Sequence, residues 1–160
     1  MRRRIDATLP EEPAVLYQFA RNALTFKPPI RLPGNIYLGG AAEHAGEIDL
    51  KDALMPIVAF ARVYAVRHAI LETHTLERID ALADRDLLQS SSRQEIAAVY
   101  DFLMQLRLQS QLSEIRAGRP PRSSIQLAKL GHTQRELLKQ AFAQIAAMQK
   151  KVGYDFPEGG

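Results

Sequence analysis

A chain of 160 residues with 46% hydrophobic and 24% charged side chains can bury one real core plus a short appendage, and is too apolar to be disordered throughout. It has no cysteine, which excludes a disulfide framework, a thiolate nucleophile and a sulfur-ligated zinc site together. The formal charge of +3 and the pI near 9.3 arise from basic residues spread along the chain, so nucleic acid is not an expected partner.

Met1-Arg-Arg-Arg4 is followed by Ile5-Asp-Ala-Thr-Leu-Pro rather than an apolar run, so it does not read as a leader. Residues 11–24 place Val15, Leu16, Phe19, Ala20 and Ala23 at helical spacing and predict a short helix stopped by Lys27-Pro28-Pro29. Residues 26–46 are rich in Pro and Gly and predict a connector with one strand or hairpin near 35–38. Asp49 then stands as an N-cap before a helix to about Leu71, bent at Pro56. The apolar stretch at 53–61 is too short to span a membrane, and a cytoplasmic protein is expected.

Thr73 or Thr75 caps a shorter helix through Ala83. Ser92 with Glu95 forms a capping box for a long helix over 93–117, closed by Gly118 and Pro120-Pro121. Thr133 with Glu136 opens a last helix, which ends at Val152 before Gly153. The expectation is an all-α fold: an antiparallel four-helix bundle over 48–153, preceded by a short helix and an irregular Pro/Gly-rich connector over 1–47, and followed by a flexible tail over 154–160. The loop over 118–131 is long enough for a crossover or a lid.

Polar side chains fall in line with apolar ones on two of these helices. Met55, Val58, Arg62, Ala65 and Ala69 follow the three-and-four spacing of one helical face, which predicts that Arg62 points toward buried surface. Ile96, Tyr100, Leu103, Arg107 and Gln111 repeat the pattern. Packed together, the two helices would gather Arg62, Arg107 and Gln111, with Thr73, Thr75 and Arg78 at the edge, as a pocket for a phosphate, a carboxylate or a nucleotide. The alternative is structural, with each arginine turned outward or paired with Glu72, Glu77, Asp80 or Asp101. His44, His68, His74 and His132 lie in separate elements without metal-ligand spacing, and Asp84-Arg85-Asp86 lacks the strands a metal-binding carboxylate pair would need. No metal or cofactor is therefore expected in this chain. The last helix carries Leu137, Leu138, Ala141, Phe142, Ile145, Ala146 and Met148, enough for a core face with some surplus for a partner, so a docking module or homodimer stays open.

Several segments together carry a family likeness. Gly46-Glu-Ile-Asp-Leu-Lys51, Pro56-Ile57-Val58 with Ala61-Arg62-Val63-Tyr64-Ala65, Thr73-His-Thr-Leu-Glu-Arg78, Leu106-Arg-Leu-Gln-Ser-Gln111 and Gly118-Arg-Pro-Pro121 resemble the C-terminal substrate-binding helical domain of the DUF294-type nucleotidyltransferases. Phe19-Ala-Arg-Asn-Ala-Leu24 and Phe26-Lys-Pro-Pro29 resemble the segment leaving the nucleotidyltransferase domain in those proteins. The resemblance implies a bacterial signalling protein in which this bundle works beside a nucleotidyltransferase domain related to that of PII uridylyltransferases. Pairs of CBS domains and a cyclic-nucleotide-binding-like module are the implied partners, and a PII-type protein an implied substrate. It also implies a cleft-closing role like that of the C-terminal bundle of kanamycin nucleotidyltransferase, with Mg and a nucleoside triphosphate used by the full-length protein. The chain has no Gly-Ser turn with paired carboxylates, so it is expected to be inactive alone, with the catalytic half elsewhere, ahead of Met1. Arg62 and His68, six apart near a helix end, are also similar to the arginine–histidine pattern of HEPN ribonucleases, the alternative reading.

Overall fold

Eleven of the eighteen residues of the helix that begins at Leu50 are buried, so it can only be a central element covered from several directions. The computed structural model describes residues 13–25, 30–31, 35–36 and 46–157, which are mostly helical. In chain order they form α1 (Pro13–Thr25), β1 (Ile30–Arg31), β2 (Asn35–Ile36), β3 (Glu47–Asp49), α2 (Leu50–Arg67), α3 (Thr75–Asp84), α4 (Ser90–Arg116), β4 (Ser124–Gln126), a 3-10 turn (Leu127–Lys129) and α5 (His132–Asp155). α2 packs against each of the other four helices. Its Leu50, Ile57 and Val63 meet Leu103 of α4, Ile79 and Leu82 of α3, and Leu138, Phe142 and Ile145 of α5 in one core. Among the described residues no helix is long and apolar enough to cross a membrane.

The stripe expected to be buried runs largely along the outside of α2. Ala65 is buried, but Met55 is 39% exposed, Val58 is half-buried, and Arg62 and Ala69 face solvent. The helix is apolar around nearly its whole circumference, so a three-and-four line can be drawn on any side. Arg62 marks the side that water reaches, where a guanidinium keeps its hydration at no cost.

Asp49 caps α2 as expected, its Oδ1 accepting from the backbone N–H of Lys51 at 2.7 Å and of Asp52 at 3.3 Å. The other expected caps move. α3 starts at Thr75 behind His74, α4 at Ser90 behind Gln89, and α5 at His132 behind Gly131. Ser92 and Thr133 therefore sit inside the first turn rather than before it. At α5 the returning half of a capping box is made by Gln134, whose Oε1 accepts from the Gly131 N–H at 3.2 Å.

Three helices close in the same way. After α2, Ile70 N–H donates to Ala65 carbonyl at 2.8 Å and Ala69 N–H to Val66 carbonyl at 3.2 Å; after α3, Leu87 pairs with Leu82 and Asp86 with Ala83; after α4, Arg119 pairs with Glu114 and Gly118 with Ile115. Each is a Schellman closure with one left-handed residue: Ala69 (φ 51°), Asp86 (φ 57°) and Gly118 (φ 69°). Only Gly118 announces itself in sequence.

α5 does not stop at Gly153 but continues to Asp155. Phe156, which sequence places in a flexible tail, is buried with its ring 5.3 Å from that of Tyr64 in an edge-on contact. The Tyr64 hydroxyl donates to the Asp155 carboxylate, which also accepts from Lys151 Nζ at 2.9 Å. The strand expected near 35–38 appears in part as β2, antiparallel to β1 with Ile36 opposite Ile30; positions 37–38 and the rest of the connector lie outside the described residues.

Candidate functional site

The loop between α4 and α5 collects polar groups because short strands and side chains tie it down. β3 and β4 pair antiparallel, with Glu47 opposite Gln126, Ile48 opposite Ile125 and Asp49 opposite Ser124. Leu50 N–H donates to the Ser123 carbonyl at 2.9 Å and Leu127 N–H to the Gly46 carbonyl at 2.8 Å. From α4, Ser110 Oγ donates to the Ser124 carbonyl at 2.7 Å, and from α5, Arg135 donates to the carbonyls of Leu127 at 3.1 Å and Ala128 at 3.3 Å. The segment that length alone left free to be a lid is held by the start of α2 and by both long helices.

Between this strap and the last turns of α4 lies an open groove of about 510 Å³. Its lining includes the cations Arg119, Arg122 and Lys129, the carboxylates Glu47 and Glu114, and the hydroxyls Ser110, Ser113 and Ser124. Gly118 turns the chain so that Arg119 folds back on Glu114, donating from Nε at 2.7 Å and from a terminal nitrogen at 2.9 Å. Those bonds hold the Glu114 carboxyl below its usual range against partial desolvation, and the charges of Arg119, Arg122 and Lys129 add in the same direction. Arg122 and Lys129 thus share the field of one carboxylate already bridged by Arg119, and neither has an ion pair of its own among the described residues.

The side chains expected to form one pocket fall into two groups. Arg107 and Gln111 converge on Ser123, with Arg107 Nε donating to its Oγ at 3.0 Å and Gln111 Nε2 at 3.4 Å, which places them beside the groove at the start of α2. Arg62, Thr73, Thr75 and Arg78 belong to the corner between α2 and α3. Arg78 Nε reaches back to the Glu72 carbonyl at 2.7 Å, across the turn that holds exposed Thr73 and half-buried Thr75. Burial, and then the charge of nearby Arg62, lower the Arg78 guanidinium from its usual value. Leu50, bonded to Ser123, and Arg62 are about 18 Å apart along the axis of α2 at 1.5 Å per residue. Because Arg62 lies on the outer line of α2 rather than on its α4 side, the two groups do not merge. Sequence reasoning missed Glu114, Arg122, Lys129 and Ser123; the one available signal was the density of basic and hydroxyl residues in the loop over 118–131.

Residues 13–156 match the model of a family described as "putative nucleotidyltransferase substrate binding domain" (DUF294_C). The chain belongs to this family. No curated protein and no solved structure matches it.

The chemistry of nucleotidyl transfer needs carboxylates that share a metal ion. In this DUF294_C domain Asp84 ends α3 and Asp86 stands two residues beyond it on a left-handed turn, and no group of three or more His, Asp or Glu that could hold a metal occurs among the described residues. His68 caps the end of α2, half-buried, with its carbonyl accepting from Arg85 at 2.9 Å. Burial first, then the charges of Arg67 and Arg85, lower its pKa, so the imidazole is neutral near pH 7. The charges acting on it are those of Arg67 and Arg85, while that of Arg62 acts on Arg78.

Proposed function

We propose that this domain holds the acceptor substrate for a nucleotidyltransferase domain, and that the groove between α4 and the β3–β4 strap receives an anionic part of it. The observation that carries the reading is the gathering of three cations, Arg119, Arg122 and Lys129, in an open groove with two carboxylates, of which Glu114 is already bridged by Arg119 and Glu47 lies on β3. A phosphate or carboxylate entering there meets two cations without ion pairs of their own, together with serine donors, and guanidinium groups bind such oxygens in pairs. Arg107 and Gln111 extend the wall through Ser123, and Arg62, Thr73, Thr75 and Arg78 offer a second polar patch at the α2–α3 corner.

In this reading the bundle forms one wall of a cleft whose chemistry, with Mg and a nucleoside triphosphate, belongs to the nucleotidyltransferase domain. The protein is then a bacterial cytoplasmic signalling protein with CBS and cyclic-nucleotide-binding-like modules, similar to PII uridylyltransferases and taking a PII-type protein as acceptor. The test is calorimetric titration of nucleoside triphosphates, inorganic pyrophosphate and a PII-type protein against wild type, Arg122→Ala, Lys129→Ala, Arg107→Ala and Arg62→Ala. The expected result is binding that weakens with salt and falls at least fivefold in Arg122→Ala and Lys129→Ala with unchanged melting temperatures. Binding indifferent to both substitutions would remove the groove from the reading.

A further inference from the structure

α4 is apolar on two opposite sides. Ile96, Leu103 and Leu106 face the core, and the groove-lining Gln109, Ser110, Ser113 and Glu114 follow on the adjoining arc. On the far side Leu108, Leu112 and Ile115 are 52%, 51% and 56% exposed, at the four-and-three spacing of one continuous stripe that half-buried Met104 extends. At 100° per residue this stripe lies roughly opposite the groove. Three aliphatic side chains in a row on the solvent face of a helix form a contiguous apolar patch of the kind that marks an interaction surface.

The charges flanking the stripe identify the cover. Exposed Asp101 lies on the line of the stripe at its upstream end, seven residues before Leu108, and exposed Arg116 lies beside its downstream end; neither has an ion pair within the chain among the described residues. In a parallel two-fold pair Asp101 of one copy and Arg116 of the other stay about 22 Å apart along the axis and cannot meet. An antiparallel copy centred between Leu108 and Gln109 brings Asp101 of each copy level with Arg116 of the other, within reach of the long arginine side chain. In that register Leu108 meets its own symmetry mate, and Met104 falls between Leu112 and Ile115 of the second copy. We infer that the Leu108–Leu112–Ile115 face of α4 is the two-fold interface of a homodimer, with reciprocal Asp101–Arg116 ion pairs fixing its direction.

From Asp101 to Arg116 the contact is about 22 Å long at 1.5 Å per residue. Two helices of that length bury less than the roughly 800 Å² per partner of a standard interface, so the dimer belongs to the weak, transient class. The face lies away from the groove, so pairing leaves substrate access open and the two proposals fail independently.

Sedimentation velocity of the full chain from about 1 to 500 μM should show the mass rising from 17.9 kDa toward twice that value. Leu112→Glu and Leu108→Gln, both on exposed positions, should each weaken association at least tenfold. Asp101→Arg should weaken it about fivefold, and adding Arg116→Asp in the same chain should restore it to within twofold of wild type. A monomer across the whole range, a dimer untouched by Leu112→Glu and Leu108→Gln, or a double charge reversal that fails to restore pairing would each overturn the inference.

Discussion

The three matched helix closures allow a substitution to be judged at one site against a control at another. Ala69 occupies the left-handed position after α2 that Gly118 occupies after α4, with the same pair of backbone hydrogen bonds. A side chain with a Cβ pays about 1–2 kcal/mol for that conformation, whereas glycine adopts it freely but loses about 0.5–1 kcal/mol more backbone entropy on folding. The net for Ala69→Gly is a gain of about 0.5–1 kcal/mol, and for Gly118→Ala a loss of about the same size. No heavy atom lies within 4 Å of a Cβ added at Gly118, so steric contact contributes nothing to that loss and the backbone decides its sign. For a domain of this size the changes correspond to a melting temperature roughly 1–4 °C higher for Ala69→Gly and lower for Gly118→Ala. Circular dichroism at 222 nm through thermal and urea unfolding measures both. If Ala69→Gly lowered the midpoint, or the two variants moved it in the same direction, the conformational argument would be refuted.

The core gives a larger effect: Phe142, with no exposed surface where α5 meets the other helices, should cost about 3–5 kcal/mol on Phe142→Ala, read as a drop in the urea midpoint. Asp49→Ala removes the side-chain acceptor of the Lys51 and Asp52 amides and should cost about 1 kcal/mol, with earlier hydrogen exchange at those amides. Acid should destabilise the fold in two stages. His68 is held neutral by burial and by Arg67 and Arg85, so the unfolded chain binds its proton first and stability falls as the pH drops below about 6.5. Burial alone would raise the Asp155 carboxyl, but the Tyr64 and Lys151 hydrogen bonds carry it below its usual range, and Glu114 is lowered by Arg119. Their contribution is present above about pH 4 and lost as the pH falls through their lowered values. Unfolding free energy that stayed flat from pH 7 to pH 3 would contradict both stages. Burial pushes the Tyr64 hydroxyl up and the adjacent Asp155 carboxylate pushes it further, so the Tyr64 ring should contribute no phenolate absorbance in the folded protein at pH 10.

The sequence alone carried the helical character, the position of each long helix to within a few residues, the Asp49 cap and the Gly118 stop. These follow from local chemistry: apolar spacing, one carboxylate next to free amides, one glycine where a left-handed residue is needed. The family likeness was also legible, in short segments distributed from α1 to the strap. What only the tertiary structure decided was which side of α2 faces water, since a helix apolar almost all round does not declare its outer line, and Arg62 was read inward for that reason. The closures at Ala69 and Asp86 were hidden because alanine disfavours the left-handed conformation and aspartate adopts it only as one of several alternatives, so neither marks a helix end as glycine does. The groove was hidden because Glu114, Arg122 and Lys129 look like ordinary surface charges until the β3–β4 strap folds the loop back on α4. The second apolar side of α4 escaped notice because the sequence does not state how many faces of a helix its neighbours cover, and packing settles that number.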